Sequence, residues 1–142
     1  MTVAVILARK GRDVVTTTPD SKLADVCELL ETKGIGAVVI SHGGGKVDGI
    51  FSERDFLRAM ARKGAGALDR PVSEFMTEKV VTCQPDDSVA ELMRHMTDGK
   101  FRHLPVVEDG RLIGIISIGD VVKERIAEAE AEASAMREYI TA

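Results

Sequence analysis

Cysteine is scarce in this sequence, long apolar runs are missing, and positive charge is not in excess. Of 142 residues only two are cysteine, Cys27 and Cys83. They fit no metal-ligand spacing and carry no sign of an oxidising compartment, so both read as small buried hydrophobes. No apolar stretch approaches the roughly 20 residues of a membrane span. The apolar start, Met1 to Leu7, is too short for a signal peptide, and basic residues follow it rather than precede it. A cytoplasmic location is therefore expected. The formal net charge is −4, which gives no electrostatic reason to expect nucleic acid or an anionic membrane as partner. Catalytic signatures are absent too: no glycine-rich phosphate loop, metal-ligand cluster or nucleophile–base pair is readable. The sequence thus assigns no catalytic residue and no metal ligand, and a phosphotransfer enzyme is the weakest reading. His42 and His95 read as turn and helix-surface residues. What is present is ordinary for a folded domain, with 44% apolar and 30% charged residues.

The main organising feature is an internal repeat. Val14-Val15-Thr16-Thr17-Thr18-Pro19-Asp20 recurs as Val80-Val81-Thr82-Cys83-Gln84-Pro85-Asp86. After each Pro-Asp the apolar residues follow helical spacing, at Leu23, Val26, Cys27 and Leu30 and then at Val89, Leu92, Met93 and Met96. Asp20 or Ser21, and Asp86 or Asp87, are candidate N-caps. A strand follows each helix, Ala37–Ile40 and Leu104–Val107. Glycine-bearing turns then lead to second strands over 47–51 and 112–116. A further helix closes each unit. The order is β-α-β-β-α twice, an α+β fold. Lys63-Gly64-Ala65-Gly66-Ala67 reads as a flexible connection, and Pro71–Met76 as a short helical turn. Neither unit can bury both its helix face and its sheet face alone, so the two should pack about a pseudo-two-fold axis with one shared core.

The element that carries chemistry is Gly-apolar-apolar-Ser-x-x-Asp at the junction of strand and helix. Glycine permits close approach of another backbone or a ligand. Serine stands where the first helical N–H groups lack partners and the helix dipole favours an anion. The aspartate can accept from two adjacent ribose hydroxyls. The same Ser-x-x-acid pattern is also a capping box, which needs no ligand.

With these residues in place the chain resembles the tandem CBS-domain family, the pair called a Bateman module. The paired Gly49-Ile50-Phe51-Ser52-Glu53-Arg54-Asp55 and Gly114-Ile115-Ile116-Ser117-Ile118-Gly119-Asp120 carry the resemblance, together with Phe101-Arg102-His103-Leu104-Pro105-Val106-Val107. It implies a disc with two clefts that take AMP, ADP, ATP, S-adenosylmethionine or dinucleotides such as NAD, and no catalytic cofactor. It also implies that one cleft uses Thr16, Ser52, Arg54 and Asp55, with Gly36, Ala37 and Val38 along the base pocket. The other uses Thr82, Arg102, His103, Leu104, Pro105, Ser117 and Asp120. Phosphate would face the serine, ribose the aspartate, and Arg54 would be the phosphate counter-ion. Gly119 replaces the counterpart of Arg54, and Gly36-Ala37 stand where Arg102-His103 stand, so the two clefts are not equivalent.

By chain order the units are 1–65, 66–125 and a tail, 126–142. In the tail, Ile126, Ala129, Ala133, Met136 and Ile140 extend from Val122 at spacings of 4, 3, 4, 3 and 4. This is a narrow helical seam, which lies on its own disc or on a partner. A homodimer is expected, with an effector acting in trans on a regulatory nucleotide-binding module. The alternative function is an interaction scaffold whose clefts stay empty.

Overall fold

The computed structural model describes residues 1–141; the last residue of the predicted tail, 142, lies outside the described residues. Chain order runs α1 (Val3–Lys10), β1 (Thr16–Thr17), α2 (Leu23–Lys33), β2 (Ala37–Ile40), β3 (Gly49–Ser52) and α3 (Glu53–Lys63). Two 3₁₀ turns follow, Gly64–Asp69 and Val72–Glu74. The second half adds α4 (Val89–Gly99), β4 (His103–Glu108), β5 (Arg111–Ser117) and α5 (Ile118–Thr141). In the first repeat β1 pairs parallel with β2, and β2 antiparallel with β3. In the second, β4 and β5 form an antiparallel pair with a register shift between Val106 and Val107. The first strand expected there shrinks to a single parallel bridge, Cys83 to Val106.

The predicted helix faces are the buried ones. Leu23, Val26 and Leu30 on α2, and Val89, Leu92 and Met96 on α4, are all under 9% exposed, with Cys27 and Met93 packed beside them. The caps sit one or two residues later than expected, at Lys22 and Ser88. The Ser88 hydroxyl accepts from the Glu91 N–H at 3.1 Å. Asp87 instead accepts from the Gln84 N–H at 2.8 Å and shapes the turn in front of the helix. The Asp109-Gly110 turn has positive φ at both residues, 52° and 76°, as a tight two-residue hairpin requires.

Two expectations are corrected. The first is the shared core. The buried side chains form two separate clusters, one per repeat, and each is completed by the segment in front of the other repeat. Val3, Ile6 and Leu7 of α1 pack with Leu92, Met96, Leu104 and Ile116. Val72, Phe75 and Met76 pack with Leu23, Val26, Val38 and Phe51. The exchange is symmetric. Val3 N–H donates to Asp87 O and Val72 N–H to Ser21 O; Val89 N–H donates to Met1 O and Leu23 N–H to Arg70 O. The leading segments therefore belong to the repeat too, Val3 to Lys10 answering Val72 to Lys79 at an offset of 69, against 65 or 66 elsewhere. The pseudo-two-fold axis relates these crossed arms as well as the two repeat bodies.

The second correction is the connection between repeats. It is not a loose linker but a 3₁₀ turn whose Ala67 is fully buried. Its small residues allow close approach to the first core, which a flexible reading of Gly and Ala misses.

The motif glycines serve the crossed arms. A Cβ on Gly49 would lie 2.5 Å from Met76 Sδ and 2.9 Å from Thr77 O; one on Gly114 would lie 2.7 Å from Leu7 Cδ2. Of the two roles open to these glycines, the neighbour that needs the space is another segment of the chain.

Candidate functional site: a cationic cleft between the repeats

Both Ser-x-x-Asp elements form caps. Ser52 N–H and hydroxyl donate to Asp55 Oδ2 at 2.9 and 3.2 Å. Ser117 N–H and hydroxyl donate to Asp120 Oδ2, both at 2.9 Å, and the hydroxyl accepts from the Asp120 N–H at 3.2 Å. The structural role of the motif is thus met in both copies. The surroundings differ. Asp55 is buried, and its Oδ1 accepts from Thr77 Oγ1 at 3.2 Å, with Arg58 Nη1 at 3.5 Å. Asp120 keeps a quarter of its side chain exposed and holds Lys10.

A cleft of about 280 Å³ opens at the N-terminus of α3. This is near the lower end of the roughly 300–1,000 Å³ usual for small-molecule sites. Its walls come from both repeats. Gly36, Ser52, Arg54 and Asp55 of the first face Lys100, Arg102 and His103 of the second. Lys79, Val80 and Val81 close one side, and Arg58 lies behind Asp55. Five cationic side chains against Glu53 and Asp55 leave the cleft positive, although the whole chain is negative. Arg54 donates to the Lys100 carbonyl at 2.7 Å, across the boundary between repeats. That carbonyl belongs to a left-handed residue (φ 57°) that ends α4.

The cleft regroups the residues assigned from sequence. Arg102 and His103, placed with the second motif, line the cleft of the first. His103 stands against Gly36, where a Cβ would lie 3.3 Å from its Cε1. Ala37 and Val38 are buried in β2 and do not line this cleft, and Thr16 is an exposed β1 residue opposite Val39. Leu104 and Pro105 are buried in β4, with Pro105 O accepting from Cys83 N–H at 3.0 Å; Thr82 is exposed beside that bridge. Ser117 and Asp120 lie at the start of α5 and outside this cleft.

Burial pushes the His103 imidazole below its usual pKa, helped by Lys10 and Arg102 and opposed by Glu53 and Asp120. His103 is neutral at pH 7. Burial drives the Cys83 thiol up to about 12, and the nearby Asp87 adds to this; burial also raises Cys27. Neither thiol is a ready nucleophile.

A family model described as the CBS domain matches twice, over residues 9–62 and 72–127. The chain belongs to the CBS-domain family. The CBS pair is 51% identical to the CBS-domain containing protein ATU1752 of Agrobacterium tumefaciens, whose crystal structure superimposes with a TM-score of 0.86 over 88% of this chain and 99% of that one. A CBS domain protein from Pyrobaculum aerophilum, PAE2072, solved in complex with AMP, is 26% identical, with a TM-score of 0.74 over 84% of this chain and 89% of that one. A mitochondrial CBS domain-containing protein of Arabidopsis thaliana, CBSX3, is 32% identical over 98% of this chain and 71% of its own length. Against another from the same plant, CBSCBSPB5, the chain spans 21% of the relative's length.

Within the CBS pair, the cleft residues that sequence reasoning missed are Arg58, Thr77, Lys79 and Lys100. Lys79 shows a repeat signal only once the arms are aligned, and Thr77, opposite Ala8, shows none. Aligning the leading segments at their own offset of 69 sets Lys79 opposite Lys10 and makes both candidates. Arg58 has a cationic counterpart in Lys123, whereas Lys100 has none, because Gly34 stands at the equivalent end of α2. Among the described residues no group of three His, Cys, Asp or Glu could hold a metal ion, and no helix is long and apolar enough to cross a membrane.

Proposed function

We propose that this chain is a regulatory module that binds a phosphorylated adenine nucleotide (AMP, ADP, ATP or NAD) in the cleft at the start of α3. It acts in the cytoplasm on an effector in trans, through binding energy rather than catalysis. The observation that carries the reading is the positive cleft shared by both repeats. A helix N-terminus and Ser52 there meet Arg54, Lys79, Lys100 and Arg102, a setting that suits phosphate. Asp55 lies at the same mouth for the ribose, and Gly36 and His103 flank the space for the base. The AMP complex of the Pyrobaculum protein supports the ligand class. Because the walls belong to different repeats, a ligand that bridges them favours one arrangement of the two, and that preference is the signal. The repeat assigns Ser117, Asp120 and Thr82 to a second site, outside this cleft.

The scaffold reading has one observation in its favour: both oxygens of Asp55 already have donors within the protein. A ribose must displace Thr77 or Arg58 from Oδ1. Calorimetry and thermal shift with AMP, ADP, ATP, NAD and S-adenosylmethionine separate the two. The anionic nucleotides should bind and raise Tm by mass action, and the cationic sulfonium should bind least. Asp55→Ala should weaken binding by about 1.5–3 kcal/mol. Lost stability with unchanged affinity would reduce Asp55 to a cap, and no binding by any compound at millimolar concentration would leave the scaffold.

We also propose a homodimer that uses the tail. Val122, Ile126, Met136 and Ile140 of α5 are 39–75% exposed. The helix leaves the disc and does not fold back on it, which favours a second copy as its cover.

A further inference from the structure

A second cavity, of about 380 Å³, adjoins the cleft; Asp55, Arg58 and Thr77 line both. It is the groove between α3 and the crossed arm. Ala59, Phe75 and Met76 give it an apolar part, and Arg62 and Lys63 add two further cations. Asp55, Arg58, Ala59 and Arg62 follow the i, i+3, i+4, i+7 spacing of one helix face. Arg62 is two turns from Asp55, about 10 Å along the axis. Helical side chains lean toward the N-terminus, which favours reach back toward the carboxylate. The acids in the groove are Asp55 and Glu74, and Glu74 is already matched by Arg70, whose Nη2 donates to it at 2.8 Å. Among the described residues neither Arg62 nor Lys63 forms an ion pair. Cations suit the last turn of α3 for its dipole, but Arg58 stands in mid-helix. The second repeat shows the same place filled. Glu124 stands where Ala59 does, and Arg9 of α1 donates to both its oxygens at 2.8 and 2.9 Å. Ala127 and Glu128 replace Arg62 and Lys63 there. The open cationic groove belongs to the first repeat.

We propose that this groove is an anion subsite for a phosphate on the ribose 2′ or 3′ oxygen, so that the ligand is a nucleotide phosphorylated there as well as on its 5′ oxygen. This deepens the nucleotide reading above and rests on it. The oxygen of Asp55 that a ribose would use is Oδ1, which accepts from Thr77 Oγ1 at 3.2 Å and has Arg58 Nη1 at 3.5 Å. Both partners line the groove as well as the cleft. A ribose with its 5′ phosphate at Ser52 and its diol at Oδ1 turns its 2′,3′ edge toward them. When one hydroxyl is esterified, the other still donates to Oδ1. The added phosphate then meets Arg58, which the ribose displaces from Asp55, together with Arg62 and Lys63. The displaced guanidinium thus gains a new anion.

The test is calorimetry of the full chain with AMP, ADP, adenosine 2′,5′-bisphosphate and adenosine 3′,5′-bisphosphate. One bisphosphate should bind wild type about tenfold more tightly than AMP, the return of one charge-assisted hydrogen bond. In the double variant Arg62→Gln, Lys63→Gln most of that ratio should disappear. ADP carries its extra phosphate on the 5′ side, so its ratio to AMP should be the same in both proteins. Melting curves establish that the variant is folded. Bisphosphates no tighter than AMP on wild type overturn the subsite and leave the nucleotide reading standing. So does a bisphosphate advantage that survives in the variant, or one that falls only in step with ADP. No binding by any of the four to wild type overturns both.

Discussion

The two repeats share a motif, a cap and a crossed arm, and they differ in what the arm delivers to the cap. At the first motif the arm begins as a 3₁₀ turn and brings Thr77 to Asp55, and Lys79 to the wall of an open cleft. At the second the arm is a full helix, and it brings Lys10 onto Asp120 and Arg9 onto Glu124. Arg54 reaches across to Lys100, while its counterpart Gly119 reaches nothing. The closing helices differ as well. α3 stops at Gly64 with φ 67°, whereas α5 runs on for 24 residues. Duplication explains the Ser-x-x-Asp elements as caps in both repeats. The chemistry that makes one a candidate site comes from residues outside the motif, so each comparison can be broken by changing those residues.

The largest effect should come from the glycines under the crossed arms. Gly49→Ala forces a methyl against Met76 and against the Thr77 carbonyl, a backbone atom that cannot move alone. Overpacking of this kind costs about 1–3 kcal/mol. Gly114→Ala meets only the end of the Leu7 side chain, which can swing. Chemical denaturation of both variants should place Gly49→Ala clearly lower. Equal losses would mean that the two arms are held alike, which would remove one asymmetry between the repeats.

The next effect concerns the unequal closing helices. Beyond Glu128 the side chains of α5 are exposed through Thr141. At 1.5 Å per residue the 24-residue helix is about 36 Å long. A free helical extension of this size is marginal without packing. Removing residues 126–142 should weaken the dimer at least tenfold, about 1.4 kcal/mol, and leave each disc folded. Sedimentation and light scattering of both forms decide this. The acidic flanks Glu128, Glu130 and Glu132 oppose close parallel packing of two tails; Glu124 is buried against Arg9. An antiparallel pair or docking on the partner's disc fits better. A monomeric full-length chain, or a truncated chain that dimerises equally well, would leave α5 without a cover from a second copy.

The repeat bodies were legible because helix period and turn chemistry act locally: Leu23 to Leu30, Val89 to Met96 and Asp109-Gly110 each specify their conformation within a few residues. The arms were not. Met1 to Leu7 is too short to show a period, and three extra residues, Gly11-Arg12-Asp13, break the offset that links the repeats. The site was half legible for the same reason. Ser52 and Asp55 announce themselves by motif. That Arg102 and His103 face them, rather than Ser117 and Asp120, follows from packing across the pseudo-two-fold axis, which sequence spacing does not encode. Lys79 and Lys10 depend on the arms and were missed with them.

The smallest expected effect is pH dependence arising in one repeat only. His103 is half-buried where the first repeat has Ala37, and it faces Lys10 and Arg102 as well as Glu53 and Asp120. Its folded pKa lies below the ordinary imidazole value, so between the two the unfolded chain holds a proton that the folded chain does not. Stability then rises with pH across that window. The contribution is fully present above about pH 6.5, the ordinary value, and is lost as pH falls toward the folded value. The lowered carboxylates, Asp48 and Asp120 among them, act in a separate window below the ordinary Asp value of about 3.9. Melting wild type and His103→Gln at pH 7.5 and 5.5 isolates the histidine, because the window of the lowered carboxylates lies below both pH values. Wild type should lose more Tm on acidification than the variant does. An equal loss in both would mean that the imidazole charges without penalty, and that the space between Gly36 and His103 admits enough water to solvate an imidazolium.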